Sequence, residues 1–217
     1  MAATKKKRRK PVILVSSTVY GSEDLLDLIY ALLTNFGYEV WMSHKGTLPT
    51  VSSKTAFENC LAAVDSCDLF LSLITKQYGT GRESTDVRSI THEELLKAIK
   101  LGKPRWALAH HDVVFARTLL DHLGYKTAAD RKKLALKKGA IIDDLRVIDM
   151  YEDAIRNELS LKDRKGNWVQ KFATPEDATL FASAQFFRIQ ELRAFIEEQF
   201  EDPLTIQARV DALRGGS

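Results

Sequence analysis

The stretch from Ser66 to Leu108 decides the fold, and it reads SCDLFLSLITKQYGTGRESTDVRSITHEELLKAIKLGKPRWAL. An apolar run is followed by a glycine-bearing loop, a helical pattern that opens with carboxylates, and a second apolar run. This order predicts a buried strand, a loop at its carboxyl end, a helix and another strand. Open α/β sheets bind nucleotide-like ligands at the carboxyl ends of their strands, so we expect the functional site in the loop that follows the first of these strands.

A similar unit precedes this stretch. Val12–Val15 is a near-continuous apolar run that predicts a strand covered on both faces, and the hydroxyl-rich residues 16–21 follow it. Ser22 is then expected to cap a helix that ends before Gly37. With further strands predicted at Tyr38–Met42, Leu69–Ile74 and Arg105–Ala109, the sequence predicts an α/β fold with a doubly wound, mostly parallel sheet.

The C-terminal part has weaker patterns. We predict helices at Val113–Leu123 and Ala128–Lys138, a short strand at Leu145–Ile148, a turn at 163–167 and one long helix from Pro175 to Phe200. The expected buried stripe of that long helix is Ala178, Phe181, Ala184, Gln185, Arg188, Leu192, Phe195 and Ile196. The predicted organisation is a disordered basic tail (1–10), an α/β domain (11–150), a helical C-terminal extension (151–213) and a linker (214–217).

Composition limits the class of protein. The chain has 217 residues, 45% of them hydrophobic, which is enough for one substantial core. Removing the six cations of Lys5–Lys10 from 32 leaves 26 basic against 29 acidic side chains, so we expect no nucleic-acid binding by the globular part. No apolar run approaches the roughly 18 residues of a membrane span. The basic N-terminus is not followed by the apolar stretch of a secretion signal, and the chain has two cysteines, Cys60 and Cys67. We therefore expect a cytoplasmic protein with reduced thiols.

Several catalytic motifs are absent from the sequence. It contains no phosphate-binding P-loop, no Gly-x-Ser-x-Gly elbow and no His-Glu-x-x-His helix, which argues against NTPase, esterase and zincin chemistry. The histidines have no metal-ligand spacing except His110 and His111. Because adjacent side chains at a strand end point in different directions, we predict no metal site.

The remaining polar residues suit a ligand that carries a ribose and phosphates. Glycines let backbone N–H groups approach an anion, hydroxyls donate to phosphate or ribose, and a carboxylate holds ribose hydroxyls or faces an oxocarbenium-like centre. The candidates for ligand binding are Ser16, Ser17, Tyr20, Asp68, Tyr78, Gly79 and Gly81, and the candidate catalytic residue is Glu94.

Several of these candidates also have a structural alternative. Glu94 fits a capping box in which it bonds the backbone N–H of Thr91. The Tyr78–Gly81 segment is typical of a turn, and Asp68 could cap its strand or bond nearby backbone donors.

These residues resemble a known family. Val15–Gly21 (VSSTVYG) with Glu23–Leu25, Cys67–Leu71 with Tyr78 and Gly79, and Ser89–Glu94 with Ala98–Pro104 resemble the TIR-like domain of unknown function found in STAND NTPases and bacterial anti-phage defence proteins. The match covers residues 11–110, and segments 146–151 and 166–172 resemble a C-terminal extension of some members. The resemblance implies a flavodoxin-like fold related to TIR domains and nucleoside 2-deoxyribosyltransferases.

The resemblance also implies a chemistry. Glu94 corresponds to the carboxylate that transferase-like members use at C1 of the sugar, and TIR-type NAD glycohydrolases and cyclases use a glutamate at the nicotinamide ribose. We expect the positive end of the helix dipole to keep Glu94 ionised.

Three functions remain open at this stage. The first is an NAD-consuming immune enzyme that needs no cofactor, uses NAD as substrate and releases ADP-ribose or a cyclic or derivatised product. The second is a non-catalytic module that senses a nucleotide, oligomerises, or binds an effector or sensor protein, and self-association is expected for either. The third is a metabolic nucleoside deoxyribosyltransferase, which the Ser-Ser-Thr and Tyr-Gly-Thr-Gly loops make the weakest of the three.

Overall fold

Five parallel strands form one sheet in the computed structural model, which describes residues 9–79, 87–135, 141–189 and 191–192. The strands are β1 (Val12–Ser17), β2 (Glu39–Trp41), β3 (Leu69–Ile74), β4 (Arg105–His110) and β5 (Val169–Phe172). Their order is β2-β1-β3-β4-β5, and every neighbouring pair is parallel. This is the flavodoxin-like order of doubly wound sheets, so the predicted fold class is confirmed.

Helices cover both faces of the sheet. They are α1 (Glu23–Asn35), α2 (Ala56–Ser66), α3 (Ile90–Lys100), α4 (His111–His122), α5 (Ala128–Arg131), α6 (Arg146–Ala154) and α7 (Pro175–Phe186), with a 3-10 turn at Leu161–Asp163. Residues of α2, α3, α4 and α6 pack together on one face, which we call the α3 face. Residues of α1 and α7 pack on the other, which we call the α1 face.

The pleat of the strands decides which residues meet each layer. In β1, Leu14 packs on the α3 face, whereas Ile13 and Val15 pack on the α1 face. In β3, Phe70 and Ile74 pack on the α3 face. Alternation extends this pattern to the polar residues of the same strands, so Ser16 and Ser72 belong to the α3 face and Ser17 to the α1 face.

The predicted strand at Leu145–Ile148 is wrong, because α6 begins at Arg146. Val147, Ile148 and Met150 are buried together with Ala154, a helical spacing that packs one side of α6 on the α3 face. A window of four residues, three of them apolar, was too short to distinguish period 2 from period 3.6.

Strand β5 was not predicted. It pairs with β4 at the edge of the sheet, and of its four residues Phe172 alone is fully buried. Helix α7 then packs against α1. The described residues after 150 therefore add an edge strand to the sheet and a helix to the core of the α1 face.

Helix α5 ends at Arg131 rather than at Lys138, and residues 136–140 lie outside the described residues. Ala128 and Ala129 are exposed, while Arg131 is buried and bonds Asp149 and Glu152. Without an apolar face to bury, high helix propensity alone does not sustain a longer helix.

Helix α7 ends at Phe186, so the predicted continuous helix to Phe200 is wrong. The hydroxyl of Tyr38 donates to the carbonyl of Phe186 at 3.0 Å and gives this helix end a partner. The buried stripe is Ala178, Ala182 and Phe186, whereas the predicted Ala184 is exposed. Arg188, also placed in the stripe, forms an exposed ion pair with Glu191.

Some predictions concern residues outside the described ranges, among them most of the basic tail, Phe195, Ile196 and the linker at 214–217. Cys60 and Cys67 are free thiols, as predicted. Among the described residues, no helix combines the length and the apolar character that crossing a membrane demands.

Candidate functional site

The carboxyl ends of β1, β3 and β4 meet at one edge of the sheet, which we call the carboxyl edge. Ser16 and Ser17 end β1, the loop from Thr75 to Gly79 follows β3, and His110 ends β4. Thr18 joins the first two loops, because its hydroxyl shares a 2.6 Å hydrogen bond with the Thr75 hydroxyl and donates to the Gln77 carbonyl at 3.0 Å.

Glu94 does not cap helix α3. The helix begins at Ile90, and its N-cap is Ser89, whose hydroxyl accepts from the backbone N–H of His92 at 3.3 Å. Thr91 is therefore inside the helix and Glu94 lies beyond the first turn. The capping-box alternative for Glu94 is wrong.

The carboxyl of Glu94 is instead buried on the α3 face under the end of β1. The Ser16 hydroxyl donates to Glu94 Oε2 at 2.5 Å, and the Cys60 thiol of α2 also hydrogen-bonds the carboxyl. The side chain is 6% exposed. Three elements that are distant in sequence thus converge on one carboxyl group.

Burial raises the pKa of Glu94 to about 7, although the hydrogen bonds from Ser16 and Cys60 oppose the rise. Desolvation therefore acts against the expected ionisation of Glu94, and a pKa of about 7 leaves both forms of the carboxyl populated near neutral pH. Burial, followed by the nearby Glu94 charge, raises the pKa of the Cys60 thiol to about 12. Cys60 is thus a protonated donor beside a carboxyl group that titrates near neutral pH.

Ser16 and Ser17 do not act together. Ser17 lies on the other face of the strand, and its hydroxyl donates to the Thr18 carbonyl at 3.0 Å. Of the predicted hydroxyl pair, the structure brings only Ser16 to Glu94.

Tyr78 is a packed core residue. It is 2% exposed, its hydroxyl lies 2.8 Å from His92 Nδ1, and the Arg146 guanidinium lies 4.6 Å from the centre of its ring. Its backbone N–H donates to the Asp143 carboxylate at 2.8 Å, so that donor is engaged. Burial raises the pKa of the Tyr78 hydroxyl.

Gly79 is required by the backbone conformation of the loop after β3 and by its contact with Thr18. Its φ is +83°, and a Cβ there would lie 2.4 Å from Cγ2 of Thr18. The positive φ explains why a glycine stands at position 79, while Thr80 and Gly81 lie outside the described residues, so the turn alternative for residues 78–81 stays untested.

Sequence reasoning missed His92. Its Nε2 lies 2.7 Å from the Asp153 carboxylate of α6, so Tyr78, His92 and Asp153 form a continuous chain of hydrogen bonds. The histidine lies two residues before Glu94 and is 2% exposed. His92 falls on the buried side of the amphipathic helix α3, and a polar residue in such a position was the sequence signal that could have identified it.

The structure separates Asp68 from the other candidates. Asp68 precedes β3 and lies at the opposite, amino edge of the sheet. Its carboxylate accepts from the Val12 backbone N–H at 2.8 Å and pairs with Arg9 at 2.6 Å. This is the strand-capping alternative, and Asp68 shares no site with Glu94.

A cavity of about 440 Å³ opens at the carboxyl edge on the α1 side. Its walls come from the start of α1, the loop after β3, the end of β4 and the start of α7, and include Ser22, Lys76, Gln77, His110 and Thr174. Ser22 occupies the N-cap position of α1, as expected, but its side chain makes no capping hydrogen bond. Glu94 does not line this cavity, and Tyr20, next to Gly21 of its wall, is 76% exposed.

His110 and His111 converge, contrary to the sequence-based prediction. Their ring centres are 4.7 Å apart, because the chain passes from β4 into α4 between them and strand alternation stops. Ligand atoms of His110, His111 and Asp112 lie within 4.8 Å of one another. His111 Nε2 is already paired with Asp112 at 2.9 Å, and the cluster lies at a helix N-terminus, where a cation is disfavoured.

Residues 12–201 match the model of a protein family described as a domain of unknown function, DUF4062. A comparison with curated proteins found no match. The family model covers most of the chain, so the chain belongs to the DUF4062 family.

Proposed function

Starting from its place in the DUF4062 family, we propose that this chain is a TIR-like NAD-processing enzyme of bacterial anti-phage immunity. In this proposal it cleaves the N-glycosidic bond between nicotinamide and ribose and gives ADP-ribose, or a cyclic or derivatised ADP-ribose. NAD is the substrate and no further cofactor is required.

The observation that carries the proposal is the buried carboxyl of Glu94 and its bond to Ser16. Glutamate is seldom buried without a charged partner, and groups whose pKa is strongly perturbed concentrate at functional sites. The capping role that would have explained Glu94 structurally does not apply. Its carboxyl also lies beside the end of β1, next to the strand order reversal where doubly wound sheets bind ligands.

A carboxyl group that titrates near pH 7 suits glycosyl transfer. As the bond between ribose C1 and the nicotinamide nitrogen breaks, its electron pair leaves with nicotinamide and the positive ring nitrogen becomes neutral. The ionised Glu94 carboxylate stabilises the electron-poor C1. Water then adds to C1 and gives its proton to Glu94 to form ADP-ribose, or a nucleophilic atom of the same molecule adds and closes a ring.

A second candidate function is favoured by the burial of Glu94. Because Glu94 is 6% exposed and lies outside the cavity, NAD reaches it only if covering side chains move. A domain that senses a nucleotide or binds a protein would need no such movement. In that case the Ser16–Glu94 bond is part of the core.

The test is incubation of the concentrated protein with NAD, followed by liquid chromatography and mass spectrometry. Concentrated protein is used because self-association is part of the proposal. The proposal predicts nicotinamide and a second product, and the mass of that product separates hydrolysis from cyclisation by one water. Intact NAD at every protein concentration and in the presence of phage lysate would favour the non-catalytic module.

A further inference from the structure

Ser72 carries a buried hydroxyl without a partner. It lies in the middle of β3, its exposure is 0%, and its Oγ makes no hydrogen bond within the described part of the chain. Buried hydroxyls in folded proteins are nearly always bonded, so such a group calls for an explanation.

The sheet places Ser72 beside Ser16. The two residues are paired in register across β1 and β3, and both belong to the α3 face. On the other side Ser72 is paired with Ala107, which offers no polar side chain. Neighbouring strands are about 4.8 Å apart, so Ser72 lies one strand spacing from the serine whose hydroxyl bonds Glu94.

The Glu94 carboxyl has room for another donor. Within the described residues Ser16 and Cys60 bond it, while a carboxylate offers about four acceptor positions. Cys60 of α2 is itself titratable and faces the Glu94 carboxyl. Toward α6, the carboxylate of Asp153 is already paired with His92. An ionised carboxylate this deeply buried gains most from a further hydrogen bond.

We propose that Ser72 is a positioning residue for Glu94: its hydroxyl donates to the carboxylate when Glu94 ionises, either after a side-chain rotation or through one water. Two hydroxyls on adjacent strands then fix the plane of the carboxylate beneath the carboxyl edge. The catalytic consequence of this arrangement rests on the proposed function, whereas the hydrogen bond itself does not.

The test is a pH titration of the Glu94 carboxyl carbon by NMR in protein labelled with ¹³C at the glutamate side-chain carboxyl. The Glu94→Gln variant assigns the resonance, because that signal disappears. In Ser72→Ala the midpoint is expected about one pH unit higher than in the parent protein, because a donor to the charged form is lost. Ser17→Ala is the matched control, since its hydroxyl belongs to the other face and its removal leaves the midpoint unchanged.

An equal midpoint in Ser72→Ala and the parent would overturn the proposal and leave Ser72 as an unpaired core residue. Should Ser72→Ala fail to fold, Ser72→Cys approximates the shape with a weaker donor, and an upward shift smaller than one pH unit is expected. The titration measures no turnover. A failure here therefore leaves the NAD proposal standing, and a failure of NAD turnover leaves this hydrogen bond standing.

Discussion

The hydroxyl of Ser16 at the end of β1 donates to the carboxyl of Glu94 in α3, across 78 positions of sequence. This bond joins the first strand of the sheet to the helix that follows its central strand. It also places an ionisable group where desolvation raises its pKa to about 7. The stability of the fold and the chemistry of the proposed site therefore depend on the same carboxyl group.

The Glu94 carboxyl should make stability depend on pH. Its pKa rises from an ordinary 4.5 to about 7 in the folded chain, so the folded chain holds this proton more tightly than the unfolded chain does. Its contribution to the free energy of unfolding is then fully present below pH 4.5 and is lost as the pH rises to about 7. Relative to Glu94→Gln, the parent should lose about 3 kcal/mol over this range. Urea denaturation of both proteins at several pH values measures the difference, and a pH-independent difference would contradict the pKa.

Removing the Ser16 hydroxyl should raise the pKa of Glu94 further, because the hydroxyl donates to the carboxyl. Ser16→Ala is expected to lower the free energy of unfolding by about 1–3 kcal/mol at pH 8, and by less at pH 5, where the carboxyl is protonated. Ser17→Ala provides the control, because its hydroxyl bonds the Thr18 carbonyl. Equal losses of unfolding free energy in the two variants would show that the Ser16–Glu94 bond stabilises the fold no more than the Ser17 bond does.

Gly79 should tolerate no side chain. Gly79→Ala combines a φ of +83° with a contact of 2.4 Å to Thr18 Cγ2, so we expect a loss of about 2–4 kcal/mol in thermal or urea unfolding. Gly102→Ala is the matched control, because its φ is +64° and nothing lies within 4 Å of the added Cβ. It should lose about 1 kcal/mol. Thr18→Ser in the Gly79→Ala background removes the clashing methyl and should restore part of the stability, and no recovery would argue against the contact.

Tyr78 should matter for stability and Tyr20 should not. Tyr78→Phe removes the hydroxyl that bonds His92 and is expected to cost about 1–2 kcal/mol in the free energy of unfolding. Tyr20→Phe changes a side chain that is 76% exposed and should stay within about 0.5 kcal/mol of the parent. The opposite order in urea denaturation would contradict the packing described for Tyr78.

The alternation of apolar runs and amphipathic helices was enough to predict the sheet, because β1 and β3 are buried on both faces and read as continuous apolar segments. Strand β5 escaped prediction because an edge strand with a single fully buried residue leaves little pattern. The last carbonyl of α7 is bonded by Tyr38, a residue far away in sequence, so the sequence around α7 gives no sign of this contact.

The candidate site was only partly predictable for the same reason. Glu94 and Ser16 could be proposed separately, but their bond depends on how α3 crosses β1. Thr91 and Glu94 have capping-box spacing, yet Ser89 is placed two residues earlier and caps the helix instead. Asp68 directly precedes the predicted strand start at Leu69, which the structure confirms, so its position at the amino edge, away from Glu94, was already implied by the sequence.

The most direct measurement of the central claim is the rate of nicotinamide release from NAD by the parent, Glu94→Gln and Glu93→Gln at equal, high protein concentration. Glu93 is the matched control, because it is the neighbouring glutamate of the same helix and its side chain is 27% exposed and faces Arg88. The account predicts a loss of at least about 100-fold in Glu94→Gln with the fold retained, and a rate close to the parent's in Glu93→Gln. Equal nicotinamide release by Glu94→Gln and the parent would contradict it.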